Sequence, residues 1–408
     1  MTKNGSLVLV INCGSSSLKF ALFPAGEMTP LMSGLAECLG ESDARITAKI
    51  GDGKNTEMLN GQGHAAALDV LLRILAERNW LASVKAVGHR MVHGAEDFKA
   101  SVVVNQAILA KIETHSNLAP LHNPANILGI RTALAKMPEI PQVVVFDTAF
   151  HQTMPAAAYL YALPMALYRE YGVRRYGFHG TSHRFVAEEA VRMLKLNPND
   201  HGIVIAHLGN GGSATAVLNG KSVDTTMGMT PLEGLVMGTR SGDVDPGALI
   251  HLARNAGWSI DEMDNVLNKK SGLLGISELS NDMRTIESSA AEGHEGAKKA
   301  LDVFVHRLAR HIGGLATSLP RLDAVAFTGG IGENSSTIRK MTIERLRVFG
   351  IELDAAANEA TIRGKSGVIS KGAGPLAVVI PTNEEWMIAR DAAELAGLGG
   401  ASGCCKGH

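Results

Sequence analysis

The 408 residues are 45% hydrophobic and 19% charged, enough apolar material for proper cores in two or three domains, which excludes a disordered chain. With 39 Lys and Arg against 40 Asp and Glu the formal net charge is -1, so no global field holds nucleic acid or an anionic membrane, and an anionic ligand must be held locally. The apolar runs are strand-sized, far short of the roughly 20 residues that span a bilayer, and four cysteines without metal-ligand or paired spacing fit a reducing, cytoplasmic setting.

Met1 to Ser6 lacks a basic region followed by an apolar run, so no secretion signal is read there. Leu7 to Leu22 reads as a buried strand, a Gly/Ser turn and a second strand with Leu18, Phe20 and Leu22 on one face. A helix is expected over 66–77. Gly88-His-Arg-Met-Val-His-Gly94 then places Arg90 in a Gly-bounded segment where a surface helix would not put it, and a planar guanidinium fork suits carboxylate and phosphate oxygens. His122 stands beside loop-like Pro residues, and Asn123 is read as the N-cap of a helix with Pro124 at its first position, running to Lys136. Val143 to Phe146 is a strand, and Asp147 ends it where open α/β sheets place functional groups, with a helix-capping role as the plainer reading.

Within Tyr176-Gly-Phe-His-Gly-Thr-Ser-His183, His179 adjoins Gly and is suited to donate to developing phosphoryl charge. His179 and His183 are four apart, but Gly180 and an expected cap at Ser182, opening a helix over 182–196, break the geometry a zinc site would need. Ile203 to Val217 repeats the opening pattern about 196 residues after Leu7: strand, Gly/Ser turn, strand. The repeat implies two similar halves with a ligand held between their turns. Gly209-Asn-Gly211-Gly-Ser-Ala214 matches a dinucleotide fingerprint, yet Ser213 to Asp224 alternates and contains a turn instead of the required helix. Gly220-Lys-Ser222 lacks the first glycine of a phosphate-binding P-loop, since Thr occupies position 215.

Met237-Gly-Thr-Arg-Ser-Gly-Asp243 places Arg240 in a second Gly-bounded segment. Helices are expected over 259–268, with Ser259 and Glu262 as a capping box, over 296–318 and over 336–348. Between the strand Leu322 to Phe327 and the last of these, Gly329-Gly-Ile-Gly-Glu-Asn334 offers backbone N–H groups for a phosphate or a ribose edge. After the strand Leu376 to Ile380, Thr382 and Glu385 have capping-box spacing for a helix to Leu395, which leaves Glu384 as the better magnesium ligand. Strands alternate with helices throughout, as in an α/β protein. The Gly-rich tail, with Cys404 and Cys405, is expected to fray.

These segments together resemble the acetate kinase family, with matches in Val10 to Phe20, Phe146 to Thr153, Arg175 to His183, His207 to Gly211, Pro231 to Leu235, Gly238 to Asp243, Phe327 to Asn334 and Pro381 to Glu385. The resemblance implies the superfamily of acetate and sugar kinases, heat-shock chaperones and actin, in which two duplicated ribonuclease-H-like domains enclose a nucleotide cleft. It implies one domain over 1–149 completed by 384–400, a second over 150–383, and a flexible tail over 401–408. ATP contacts fall on Lys19, on His207, Leu208, Gly209, Asn210 and Gly211, on Asp282, Met283 and Arg284, and on Gly330, Ile331, Gly332, Glu333 and Asn334. Asn12 and Glu384 match the residues for Mg2+, with Mn2+ as the alternative ion.

By the same likeness Arg90 holds the substrate carboxylate, Asp147 is the proposed acid/base, His179 and Arg240 stabilise the transferring phosphoryl, and His122 lies in that constellation. Val92, Leu121, Phe178 and Pro231 match a small apolar pocket for the acyl methyl group, and propionate kinases tend to carry Ala at the Val92 position. Gly94-Ala95 departs from the two glycines usual there. The implied protein is a cytoplasmic homodimer acting on ATP and acetate, with propionate or butyrate as the nearer alternative substrate and an actin-like ATPase switch as the remoter one. Acetate is ionised at neutral pH, by analogy with carboxylates of pKa about 4, so Asp147 is expected to orient Arg90, Arg240 or the metal instead of removing a proton.

Overall fold

Strand β1 (Leu7–Cys13) doubles back into β2 (Leu18–Pro24) with Cys13 opposite Leu18 and Leu7 opposite Pro24. This is the strand, turn and strand expected from the apolar run and its Gly/Ser interruption. The structure is a computed structural model that describes residues 5–59, 61, 63–120 and 122–398, so Leu121 and the Cys404-Cys405 tail lie outside the described residues. Two compact units are present, one of the residues up to Ala149 together with those from Asn383 onward, the other of Phe150–Thr382.

The first unit adds β3 (Met32–Glu37), β4 (Arg45–Ile50), β5 (Gly53–Met58), β6 (Val84–Met91), β7 (Val102–Val103) and β8 (Gln142–Phe146), in the order β5-β4-β3-β2-β1-β6-β8-β7. β1 is antiparallel to β2 and parallel to β6, β6 is parallel to β8, and β7 is antiparallel to β8. Alternate side chains of β1 serve two cores, as a period of two requires. Leu7, Leu9 and Ile11 pack with Leu68 and Leu71 of the helix His64–Glu77, whereas Val8 and Val10 pack with Ile388 and Ala392 of the helix Glu384–Leu395. That last helix lies close on β6 at Gly88, where a Cβ would stand 2.6 Å from Ile388 Cγ2 and 3.1 Å from Ile388 O. Any side chain there would lift the helix whose first residue is Glu384.

The second unit contains β9 (Gly202–Leu208), β10 (Gly212–Leu218), β11 (Lys221–Thr225), β12 (Ala324–Thr328), β13 (Glu352–Leu353), β14 (Gly367–Val368), β15 (Ser370–Lys371) and β16 (Leu376–Val379). Its main sheet runs β11-β10-β9-β12-β16-β14, with β13 and β15 as a separate ribbon. The pattern of the first sheet recurs: an antiparallel meander β9-β10-β11, then β9 parallel to β12, β12 parallel to β16, and an antiparallel last strand. Val204, Ala206 and Leu208 pack with Phe304, Leu308 and Ile312 of the helix Glu295–Ala316. The fold is the duplicated ribonuclease-H-like α/β scheme, and no helix among the described residues is long and apolar enough to cross a membrane.

The helices occur near the expected positions, but three of their starts differ. Ser259 and Glu262 form the expected capping box. Asn123 does not cap the helix Asn123–Lys136; its buried amide accepts from His93 N (3.2 Å) and donates to His93 O (3.1 Å), satisfying the irregular backbone after β6. Ser182 lies inside a helix that already begins at Gly180, with its Oγ on His207 Nδ1. The last helix is capped by Asn383, which accepts from Trp386 N, while Thr382 donates to Ser182 Oγ instead of forming a capping box with Glu385.

Candidate active site

In the first unit the C-terminal ends of β6 and β8 bring Arg90 and Asp147 together. Arg90 is the penultimate residue of β6, Asp147 follows the last residue of β8, and Asp147 N donates to Met91 O at 2.9 Å. The guanidinium donates from Nε to Oδ1 at 3.1 Å and from Nη2 to Oδ2 at 2.6 Å, a bidentate fork. Asp147 is 1% exposed, and a carboxylate this deep depends on such a partner. Burial opposes the charge on Arg90, but Asp147 and Glu384 outweigh it and hold the guanidinium more firmly protonated than usual. At Glu384 burial pushes the carboxyl up to about 7, Arg90 pulling it back and Asp147 and Glu385 adding to the rise.

Asn12 and Lys19 face each other across the β1–β2 pair, and Lys19 is ion-paired with Glu385. Glu385 is therefore the partner of the expected nucleotide lysine, a role its sequence position did not suggest. Val92 is 5% exposed, its N–H held by Asn126 Oδ1 at 3.2 Å, and Asn126 donates to Cys13 O at 2.5 Å. His122 occupies the N-cap position of the helix Asn123–Lys136. Ala95 has φ +52°, in the left-handed region that costs a non-glycine residue roughly 1–2 kcal/mol, a physical reason for the glycine that the family resemblance leads one to expect here.

In the second unit His179, Arg240 and the β9–β10 turn converge. A Cβ on Gly211 would lie 3.4 Å from Arg240 Nη1 and 3.8 Å from His179 Nε2, so a glycine keeps this spot open. Arg240 is fixed by Nη1 donating to Pro231 O at 3.1 Å, and burial lowers its pKa from the ordinary value. Its segment needs both flanking glycines: Gly242 has φ +67° with a would-be Cβ 2.4 Å from Gly234 O, and a Cβ on Gly238 would lie 1.9 Å from Asn210 Oδ1. The His179 ring stacks on His207 with centroids 4.4 Å apart, and His179 itself has φ +57°. Strain of this kind in a non-glycine residue is frequent at functional sites. Phe178 is buried, and its carbonyl accepts from His151 Nε2 at 2.9 Å.

Asn210 and Asp282 share a neighbourhood, because Asn281 donates to Asn210 Oδ1 at 3.1 Å and Asp282 caps the helix Met283–Ala291. Hydrogen bonds from the Arg284 side chain and backbone hold the Asp282 carboxyl down to about 2. Gly330 to Asn334, read as the segment joining a strand to the helix near Ser336, is itself a turn of helix, Gly329–Asn334, directly after β12. Glu333 Oε1 occupies the first N–H of that helix, Gly329 N, at 2.9 Å and also accepts from Thr382 N at 3.1 Å. The backbone at Gly329 is therefore not free for a phosphate. Leu208, at the end of β9, is buried.

One residue that sequence reasoning missed fixes this helix. Arg339, 0% exposed, donates to Gly332 O, Glu333 O, Asn358 Oδ1, Asn358 O and Thr361 O at 2.7–3.0 Å. Burial lowers its pKa to about 10. Arg339→Met keeps the volume but abandons these acceptors, and is expected to destabilise the second unit by about 3–5 kcal/mol in urea denaturation. A loss below about 1 kcal/mol would contradict the clamp.

A group of three metal-ligand side chains occurs among the described residues at Cys38, Glu41 and Asp43, and none of the expected site residues belongs to it. The acetokinase family model matches residues 7–390 of the chain. An acetate kinase of Chromobacterium violaceum is 58% identical over 393 residues, 96% of this chain and 99% of that protein. Among solved structures, Porphyromonas gingivalis acetate kinase is 42% identical with a TM-score of 0.91, covering 96% of this chain and 99% of its own. A propionate kinase of Francisella tularensis is 44% identical with a TM-score of 0.90, covering 96% and 100%.

Proposed function

The chain belongs to the acetokinase family, and from that premise we propose that it transfers the γ-phosphoryl group of ATP to acetate, reversibly, giving acetyl phosphate and ADP. A carboxylate oxygen of acetate forms the new bond to phosphorus, the bond from phosphorus to the β,γ-bridging oxygen breaks, and the electron pair leaves with ADP. Such a displacement relies on positioning and charge neutralisation. The observation that carries the reading is the Arg90 fork held by buried Asp147, a carboxylate-binding guanidinium that an ATPase switch has no need of.

Arg90 binds the acetate carboxylate and Asp147 orients it, since the substrate brings no proton to remove. His179 and Arg240 donate to the transferring phosphoryl, with His122 assisting. Lys19, His207 to Gly211, Asp282 to Arg284 and Gly330 to Asn334 hold the nucleotide. Asn12 and Glu384 offer oxygen donors of the kind a hard cation takes, and Glu384 sits among carboxylates whose repulsion a cation relieves. Asn12 and Glu384 would hold Mg2+ there, and the ion would supply positive charge against the phosphates. The working form is a homodimer, which sedimentation of the purified protein tests, and it works in the cytoplasm, which cell fractionation tests.

Trapping acyl phosphate with hydroxylamine in parallel reactions with acetate, propionate and butyrate tests reaction and substrate together. Acetate should give the highest kcat/KM with measurable propionate turnover, because the Val92 side chain crowds a longer acyl chain more than an alanine would. Val92→Ala should move the propionate to acetate ratio upward by about 10-fold, the scale of one methylene in an apolar pocket. Equal kcat/KM for both acids in the unmodified protein would refute the pocket argument, and absence of any acyl phosphate with ATP hydrolysis intact would refute the reading itself.

A further inference from the structure

Ser213 on β10 is 0% exposed and touches two histidines: His179 Nδ1 lies 2.9 Å from its Oγ, and His183 Nε2 lies 2.8 Å from the same atom. A hydroxyl has one proton, so it donates to one ring and accepts from the other. His183 is also 0% exposed, and its Nδ1 has no hydrogen-bond partner among the described residues. Burial, then the neighbouring His151 and His207, push its pKa well below the ordinary value, so the ring is neutral with a single proton.

Only two proton arrangements satisfy these contacts. In one, Ser213 donates to His183 Nε2, and the His183 proton sits on Nδ1 as a buried N–H with nothing to receive it. In the other, His183 Nε2–H donates to Ser213, Ser213 donates to His179 Nδ1, and the bare atom on His183 is a lone pair. A buried orphan N–H is the rarer and more costly defect, whereas a weakly satisfied acceptor is tolerated. We propose that His183 and Ser213 are positioning residues that fix His179 in its Nε2–H tautomer, so that a neutral imidazole presents a proton to the space beside Gly211 and Arg240. The inference rests on the reading of His179 as a phosphoryl donor only for its consequence, not for its geometry.

The neighbouring ring is set by the same device. Thr382 Oγ1 donates to Ser182 Oγ at 2.7 Å, which leaves the Ser182 proton for His207 Nδ1 at 2.7 Å and places the His207 proton on Nε2. Two stacked imidazoles are thus both supplied at Nδ1 by a buried hydroxyl. Without the relay His179 would exchange tautomers, and an Nδ1–H form would turn a lone pair toward a negatively charged phosphoryl oxygen.

The test is 15N spectroscopy of the full chain with labelled histidine and no substrate, His179 being assigned by His179→Gln. His179 is expected to show a protonated Nε2 and a bare Nδ1, and Ser213→Ala is expected to move both nitrogens toward the averaged shifts of a mixed tautomer. In the same variant kcat should fall about 10-fold with the KM for ATP little changed, and Ser213→Thr should recover part of it by restoring the hydroxyl. An Nδ1–H signal for His179 in the unmodified protein overturns the proposal, as does a His179 spectrum unaltered by Ser213→Ala. A fixed Nε2–H tautomer in a chain that forms no acyl phosphate would instead leave the relay standing and remove the functional reading.

Discussion

Arg90→Ala is expected to lower kcat for acyl-phosphate formation by about 10²–10³-fold, the scale of removing one preorganised donor from a transition state. The site is sensitive because both ends of the interaction depend on the fork: in the proposed reaction Arg90 holds the substrate carboxylate, and in the fold it neutralises Asp147, which is 1% exposed. Alanine leaves that carboxylate buried and unpaired, so a stability loss of about 3–5 kcal/mol should accompany the loss of rate. Arg90→Lys separates the two effects, because an ammonium restores charge but not a planar pair of donors. It should recover most of the stability and little of the rate. Asp147→Asn, which keeps one acceptor for the guanidinium, should lose less activity than Arg90→Ala if Asp147 orients. Steady-state kinetics with urea denaturation of each variant reads both quantities, and full activity in Arg90→Ala would remove Arg90 from the site.

Between pH 7 and pH 5 the second unit is expected to lose stability through two histidines, about 2 kcal/mol from His151 alone. Burial lowers His151 to about 4, and burial with the neighbouring imidazoles lowers His183 well below its ordinary value. Each folded-state pKa lies below the unfolded value of about 6.5, so the unfolded chain takes up protons first. The stabilisation is fully present above pH 6.5 and is lost as pH falls toward the folded value, about 2 kcal/mol for His151 by pH 5, with His183 adding in the same direction. Asp224, whose carboxyl burial raises, offsets part of this. In the first unit the depressed His89, at about 4, works in the same direction, while Glu384, raised to about 7, works in the opposite one and cancels most of it. Hydrogen exchange should therefore show protection in the helix Gly180–Leu194 falling from pH 7 to 5 more than in the helix His64–Glu77, after correction for intrinsic rates. His151→Gln, whose amide can serve both Ser222 and the Phe178 carbonyl, should flatten the slope; equal losses in both helices would refute the assignment.

Much of this molecule was legible as pattern. The continuous run Leu7 to Ile11 and the alternation of Leu18, Phe20 and Leu22 specify a strand pair, and the recurrence at Ile203 to Val217 specifies the same pair in the second unit. Gly238 and Gly242 mark a segment in which a side chain would collide, with the Asn210 amide at Gly238 and the Gly234 backbone at Gly242, and they bracket Arg240 as the residue such a segment presents. Capping was less legible. Asn123, Ser182 and Thr382 carry good capping side chains, yet each one is taken by a partner far away in sequence: the His93 backbone for Asn123, His207 for Ser182, and Ser182 for Thr382. A local rule weighs only the orphan N–H groups of the first helical turn, whereas folding gives a polar side chain to whichever buried group would otherwise be unsatisfied.

By itself, then, the sequence determined the alternation of strands and helices, the duplicated hairpins and the identity of the charged residues set between glycines, because periodicity, turn chemistry and glycine's conformational freedom act over a few residues. Only the tertiary structure decided that Arg90 is forked onto Asp147, that Lys19 is paired with Glu385, that Arg339 clamps the helix after β12, and that Ser213 stands between His179 and His183. Those pairings join residues as much as 366 positions apart, as Lys19 and Glu385 are. They are fixed by the cost of leaving a buried charge or proton without a partner, a quantity that exists only once the chain has closed around it.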